Sequence, residues 1–219
     1  FLFSLFIVMS IQKTLKIYQK QFKLQLKTKT MKILAFSDLH GDKKALSALI
    51  KVSNSKNPDI IICAGDTSNN KTSVKEVIKE LKKTRKPILI VHGNHETSQE
   101  IKSDKQVTNL HKKLIKIENY HFLGFGGGGF SKRDPEFERF SKNTKKENLI
   151  LITHAPPYKT SLDILPMGHV GSISIKRFIE KNKPILAICG HLHENEGKSE
   201  KISKTLIINP GIKGKIIKI

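Results

Sequence analysis

Five short stretches carry side chains suited to holding cations and phosphates. They are "SDLHGD" (37–42), "AGDT" (64–67), "HGNHE" (92–96), "THAPP" (153–157) and "GHLH" (190–193). The groups they offer are Asp38 and His40, Asp66, Asn94 and His95, His154, and His191 with His193. Taken singly, each has an ordinary structural reading. Asp38 reads as a helix N-terminal acid, Gly65–Asp66 as a turn, Asn94 as a cap, and His154 as a turn histidine before two prolines. What singles them out is position: each block directly follows an apolar run of strand length.

Those runs define the elements that must place the chemistry. "KILAFS" (32–37) reads as a strand followed by a helical pattern at Leu46, Leu49 and Ile50. "DIIICAG" (59–65) is a second strand, a helix runs through Val74, Val77, Ile78 and Leu81, and "PILIVHG" (87–93) is a third strand. This βαβα order implies parallel strands buried on both faces. "KLIKI" (113–117) and "YHFLGFG" (120–126) read as short strands, Gly126 to Gly129 as a flexible loop, and the polar stretch after it as a helix and loop. "LILITHAPP" (149–157) resumes the buried pattern, a helix around 172–182 leads to "PILAICGH" (184–191), and "KTLIINPG" with "GKIIKI" reads as an antiparallel, hairpin-like finish. In open α/β sheets ligands bind outside the carboxyl ends of the strands, so five strand ends bearing acid, amide or imidazole groups are expected to converge. "NHE" is expected to open a helix whose dipole favours a nearby phosphate.

As an ordered set, the five blocks resemble the calcineurin-like metallophosphoesterase superfamily, and the resemblance spans essentially all of 31–219. The stretch from "THAPPYKTSLDILPMGHVGS" through "CGHLHEN" to "NPG" looks like predicted phosphoesterases related to the Icc type of cyclic-nucleotide phosphodiesterase. The resemblance implies an α/β fold, a four-layer α-β-β-α sandwich with mixed sheets. It implies two divalent metal ions, the first held by Asp38, His40 and His193 and the second by Asn94, His154 and His191, with Asp66 bridging. It also implies hydrolysis of a P–O bond by a metal-bridging hydroxide, with His95 as general acid. The donors are nitrogen and oxygen without thiolate, which suits Mn, Fe, Co, Ni or Zn rather than a structural zinc knot. The two histidines of "GHLH" would serve different metals, an extended strand exit putting residues i and i+2 on one side.

The sequence departs from the phosphoprotein-phosphatase branch, which carries an Asp-Arg pair soon after its Gly-Asp. Here the segment is "GDTSNNK". A protein phosphatase is not expected, and no long insertion suggests a cap over the site. Lys132 and Lys159 are expected near it, and His169, in a Gly-bounded loop, is a candidate substrate contact. His111 and His121 are placed on a surface helix and in a short strand, without a role, and His92 is expected to point away from its neighbours.

The formal net charge is +21, yet only four of the 40 basic residues are Arg, and Trp is absent. Phosphate and base-edge recognition favours the Arg fork, and no basic-aromatic interleaving suggests a stacking platform. The family resemblance implies a small phosphodiester or nucleotide-like substrate. A metal-dependent nuclease acting on nucleic acid and a non-catalytic metal-binding scaffold are the alternatives. Cys63 and Cys189 sit in apolar runs and read as buried free thiols, which fits a reducing, cytoplasmic setting. The apolar opening "FLFSLFIVMSI" is shorter than the roughly 17–25 residues that span a bilayer, and its lysines follow rather than precede it. The domain is expected to begin near Met31, with residues 1–30 an upstream extension or flexible basic segment.

Overall fold

The computed structural model describes residues 11–12, 14–18 and 30–219. Residues 11–12 and 14–18 are helical and exposed, and most of the proposed upstream extension lies outside the described residues. No described helix is long and apolar enough to cross a membrane.

Between Lys32 and Lys218 the chain builds two mixed sheets. The first has the order β13-β1-β2-β3-β4, with β1 (Lys32–Phe36), β2 (Ile60–Ala64), β3 (Ile88–Val91), β4 (Val107–Asn109) and β13 (Lys215–Lys218). The second runs β11-β12-β10-β7-β6-β5, from β5 (Lys113–Ile117), β6 (Tyr120–Phe125), β7 (Leu149–Thr153), β10 (Leu186–Ile188), β11 (Ser199–Ile202) and β12 (Thr205–Ile208). A separate two-stranded ribbon pairs β8 (Ile164–Leu165) with β9 (Gly168–His169). β1, β2, β3 and β4 pair in parallel, as do β6, β7, β10 and β12.

Parallel strands must be covered on both faces, and the apolar runs supply that cover. Alternate residues Leu34, Phe36, Ile61, Cys63, Ile88 and Ile90 pack under α1 (Lys43–Lys56) and α2 (Val74–Leu81). The intervening Ile33, Ala35, Ile60, Ile62 and Leu89 are equally buried and turn to the opposite face. The second sheet repeats the pattern, with Leu123, Leu149, Leu151 and Ile207 under α3 (Pro135–Ser141) and α4 (Ile173–Asn182). The result is the expected four-layer sandwich. Its outer strands are guarded by charge: β5 exposes Lys113 and Lys116, and β13 exposes Lys215 and Lys218.

Local signals account for the helix starts. Asp42 caps α1 by accepting from the backbone N–H groups of Lys44 and Ala45, and Ser73 with Glu76 forms a capping box on α2.

Three expectations are corrected. β12 and β13 do not form a hairpin, because "NPGIKG" carries the chain from the second sheet to the first, where β13 lies antiparallel to β1. β12 instead forms a hairpin with β11, whose polar sequence gave no strand pattern. His111 is not on a surface helix; it bridges to Gly124, half-buried, with its ring 4.6 Å from that of His92.

Phe122 is fully buried in β6, whereas Leu114 on neighbouring β5 is 37% exposed. Phe122→Ala is expected to lower unfolding free energy by about 3–5 kcal/mol. Leu114→Ala should cost under about 1 kcal/mol. Urea denaturation with an unchanged slope checks both.

Candidate metal centre

β1, β2, β3, β7 and β10 end at one edge of their sheets, and each is followed within three residues by a polar block. Contacts across the two sheets bring those blocks together. Asp38 accepts from the His191 N–H through both oxygens, at 3.0 and 3.1 Å. His154 Nδ1 lies 2.8 Å from the carbonyl of Ala64, and Asn94 Oδ1 lies 3.0 Å from both His154 Nε2 and His191 Nδ1. His40 Nε2 and His193 Nε2 stand 3.0 Å apart. Asp38, His40 and His193 form one group of donors able to hold a metal ion, and Asp66, His154 and His191 form another. Asp66 also groups with His40 and His95.

The arrangement fits cations. The Ala64 carbonyl fixes the His154 proton on Nδ1, the usual outer contact of a metal-binding imidazole. His154 Nε2 then presents a lone pair to Asn94 Oδ1 and, at 3.4 Å, to Asp66 Oδ2. Facing lone pairs at such distances are relieved by a proton or by a metal ion between them. Adjacent donors of a cation with bonds of about 2.1 Å stand about 3 Å apart, which is the spacing seen here. His191 Nε2 is buried with no hydrogen-bond partner, so that imidazole is unsatisfied by protein alone.

Titration behaviour carries the same message. Burial disfavours the charged Asp66, but the His154 hydrogen bond and charge hold its carboxyl well below the usual range. For His154 burial works downward, and Asp66 more than offsets it, so the imidazole is raised. Burial pushes His191 down to about 4 and lowers His40 as well. Cys63 and Cys189 are both free and buried, and burial pushes the Cys63 thiol up to about 12, removing thiolates from the chemistry.

The backbone at the strand ends is strained. Asp38, His40, Asp66 and His191 all have positive φ, from 45 to 74°. Such conformations cost about 1–3 kcal/mol each in non-glycine residues and cluster at functional sites. Two glycines make room for the carboxylates. A Cβ on Gly93 would lie 2.0 Å from Asp66 Oδ1, and one on Gly190 would lie 2.5 Å from Asp38 Oδ2.

Two local expectations fail. "NHE" opens no helix: residues 94–96 form a bend, with the N–H groups of Asn94 and His95 on Asp66 Oδ1 at 2.7 and 3.0 Å, and only a short 3₁₀ turn follows at Ser98–Glu100. The "GHLH" exit is not extended either. His191 is left-handed, Leu192 is buried, and His193 begins a 3₁₀ turn. That turn, rather than strand alternation, sends the two imidazoles to different donor groups. His95 sits at the rim, with its ring 4.7 Å from His40 and Nε2 4.0 Å from Asp66 Oδ2. His169 joins no donor group; its Nδ1 lies 2.7 Å from the buried Asp163.

Sequence reasoning missed three supports. Glu96, 5% exposed, accepts from the backbone N–H groups of Thr67, Ser68 and Gly93 and from the Ser68 hydroxyl. Asn209, fully buried in the quoted "NPG", accepts from Ser37 Oγ and donates to the Leu192 carbonyl. Asn69 donates to the His40 carbonyl. The signal for Glu96 was its place beside Asn94 and His95; for Asn69 there was none.

The sequence model of the family described as calcineurin-like phosphoesterase matches residues 31–195, the segment that carries every donor named above. The chain belongs to this family. It is 35% identical over 207 residues to the uncharacterized protein MJ1162 of Methanocaldococcus jannaschii, covering 84% of this chain and 90% of that protein. Among solved structures, TT1561 of Thermus thermophilus superposes with a TM-score of 0.64 at 17% identity, over 84% of this chain and 91% of that one. An archaeal phosphodiesterase superposes with a TM-score of 0.53 at 18% identity, over 86% and 99%. These two likenesses concern the fold, whose two mixed sheets are those of the family.

The surroundings of the centre can be tested at two positions. Every partner of Glu96 is a donor, so a glutamine amide would face N–H groups it cannot serve. Glu96→Gln is expected to cost about 2 kcal/mol of unfolding free energy, and an unaltered urea midpoint would contradict this. His111 accepts from the Gly126 N–H at 3.0 Å, and burial, with His92 nearby, pushes it down from 6.5 to about 4. Its folded value lies below the unfolded one, so the stability it contributes is whole above about 6.5 and is lost as pH falls toward 4. An imidazole proton shift that stays neutral to about pH 4 in an NMR titration is the expected reading.

Proposed function

We propose that this chain is a phosphodiesterase dependent on two divalent metal ions. The observation that carries the reading is Asp66 Oδ2, whose carboxylate belongs to donor groups on both sides of the centre. In this assignment Asp38, His40 and His193 would hold one ion, Asn94, His154 and His191 would hold the other, and Asp66 would be shared between them. When bound, two such ions supply Lewis acidity to the phosphoryl oxygens and an acidified water as nucleophile.

The chain's own residues do the rest. Asp66 keeps Oδ1 occupied by the N–H groups of Asn94 and His95 and so leaves Oδ2 for the bridge. The same bond to the His95 backbone fixes the start of that side chain at the rim. His95, half-exposed, is placed to donate its Nε2 proton to the leaving oxygen as the P–O bond breaks. Such proton donation is worth about 10²–10⁴-fold.

A diester is favoured over a monoester by the walls. A cavity of about 500 Å³ opens beside Asp38, His40 and His193, and Asp42, Asn69, Glu196 and Ile212 complete its lining. That lining holds no Lys or Arg and two additional carboxylates, which suits a singly charged phosphate better than a dianion. The fold shared with an archaeal phosphodiesterase agrees. The metal is taken from the first-row set of Mn, Fe, Co, Ni and Zn, and the two buried free thiols support a reducing, cytoplasmic setting.

The test is hydrolysis of bis-(p-nitrophenyl) phosphate against p-nitrophenyl phosphate by metal-stripped protein resupplied with Mn²⁺, Ni²⁺ or Zn²⁺. Metal-dependent turnover preferring the diester is expected. A monoester preference overturns the diester claim, and silence with every metal favours a scaffold. Asp66→Asn should abolish turnover. His95→Ala should keep the metal and lose about 10²–10⁴-fold, most with poor leaving groups. Cleavage of DNA or RNA with steep salt dependence would favour a nuclease.

A further inference from the structure

Phe130 stands out beside His191, apart from the residues that line the acidic cavity. It ends the run "GFGGGGF" and is 61% exposed, a costly place for a phenyl ring, at roughly 2 kcal/mol of unburied apolar surface. The turn that presents it is closed by a bond from the Ser131 N–H to the Gly128 carbonyl. The root of the loop is tied to the third strand's exit, with the Gly127 N–H on the His92 carbonyl at 2.9 Å. The ring itself meets His191 edge-on, centroid to centroid 4.7 Å at 62°. An exposed aromatic ring thus leans on an imidazole of the donor cluster, with its remaining surface open to solvent.

The chain around Phe130 differs in charge from the cavity lining. Lys132, two residues on, and Lys159 lie with Nζ 5.7 and 5.8 Å from the Tyr158 ring centre. The cavity side carries Asp42 and Glu196 instead. The centre is therefore lopsided: carboxylates line the cavity on one side, and an aromatic ring meets the donor cluster at His191.

We propose that Phe130 is a specificity-determining residue that stacks an aromatic ring, such as a nucleobase, carried by the retained rather than the leaving ester group of the phosphoester held at the centre. The inference rests on the phosphoesterase reading and names its substrate class, phosphoesters carrying an aromatic ring. Every base has a π-face, so stacking of this kind selects for aromatic groups without selecting among bases.

The experiment has a kinetic arm and a binding arm. Thymidine 5′-(p-nitrophenyl phosphate) and methyl p-nitrophenyl phosphate share a leaving group and differ in the retained one. Phe130→Ala in the metal-loaded protein is expected to lower kcat/KM about ten-fold for the thymidine ester and less than about two-fold for the methyl ester. Phe130→Trp should retain the preference. An equal fall on both substrates would mean that Phe130 merely steadies His191, and no fall on either would leave it without a role; each result overturns the proposal. Calorimetry compares adenosine monophosphate with ribose 5-phosphate, which share a phosphate and differ by the base. Wild-type protein should prefer the former about ten-fold and Phe130→Ala should lose that preference. Absence of the preference in the wild type overturns the proposal even if turnover is robust. Absence of turnover with the preference intact overturns the phosphoesterase reading and leaves the stacking role standing.

Discussion

The structure is organised around a knot of lone pairs. His154 has its Nδ1 proton committed to the Ala64 carbonyl, so its Nε2 offers electrons toward Asn94 Oδ1 and Asp66 Oδ2, which offer electrons in return. One proton relieves part of this, and the raised His154 and lowered Asp66 are two faces of that sharing. A second proton can serve the His40 and His193 nitrogens 3.0 Å apart, but the buried Nε2 of His191 has no partner. A cluster with so many acceptors and so few protons favours positive charge inside it.

Bringing acceptors together against their own repulsion needs a rigid frame, and the sheet edges provide it by lacing. A parallel strand that stops releases backbone N–H groups, and here carboxylates from other strand ends collect them. Asp38 takes that of His191 from the second sheet, Asp66 takes those of Asn94 and His95, and Glu96 returns to Thr67, Ser68 and Gly93. These charge-assisted bonds, each worth about 1.5–3 kcal/mol, offset the left-handed backbone at Asp38, His40, Asp66 and His191. The donors are thereby fixed by the fold, so binding an ion need not also organise the chain.

This division explains what the sequence made legible. The positions of Asp38, Asp66, Asn94, His154 and His191 could be read because each follows an apolar run, and a parallel strand buried on both faces has to end with its polar residue at the sheet edge. The order of helices and strands was legible for the same reason. Tertiary competition for backbone hydrogen bonds was not. "NHE" has the composition of a helix start, but its residues form a bend whose Glu96 side chain serves the backbone N–H groups of Thr67, Ser68 and Gly93. His111 was misplaced because a half-buried imidazole against His92 leaves no periodic trace. β11 is polar and borrows its strand character from β12. The Asn209 support, which reaches Ser37 across 172 residues of chain and also holds the Leu192 carbonyl, has no local signature at all.

Charge at different ranges then acts in sequence. From a distance the chain is strongly basic, at +21, and draws phosphates through a field that salt screens. Close to the centre the sign reverses, because Asp38 and Asp66 lie within it and Asp42 and Glu196 line the adjoining cavity. An anion arriving at the bare cluster meets carboxylates rather than ammonium groups. Bound cations would invert that local field, since a metal ion is the largest charge in such a site. Metal and phosphate binding are therefore coupled by electrostatics alone: the ions that satisfy the lone pairs are also what makes the acidic floor of the site attractive to a phosphoester.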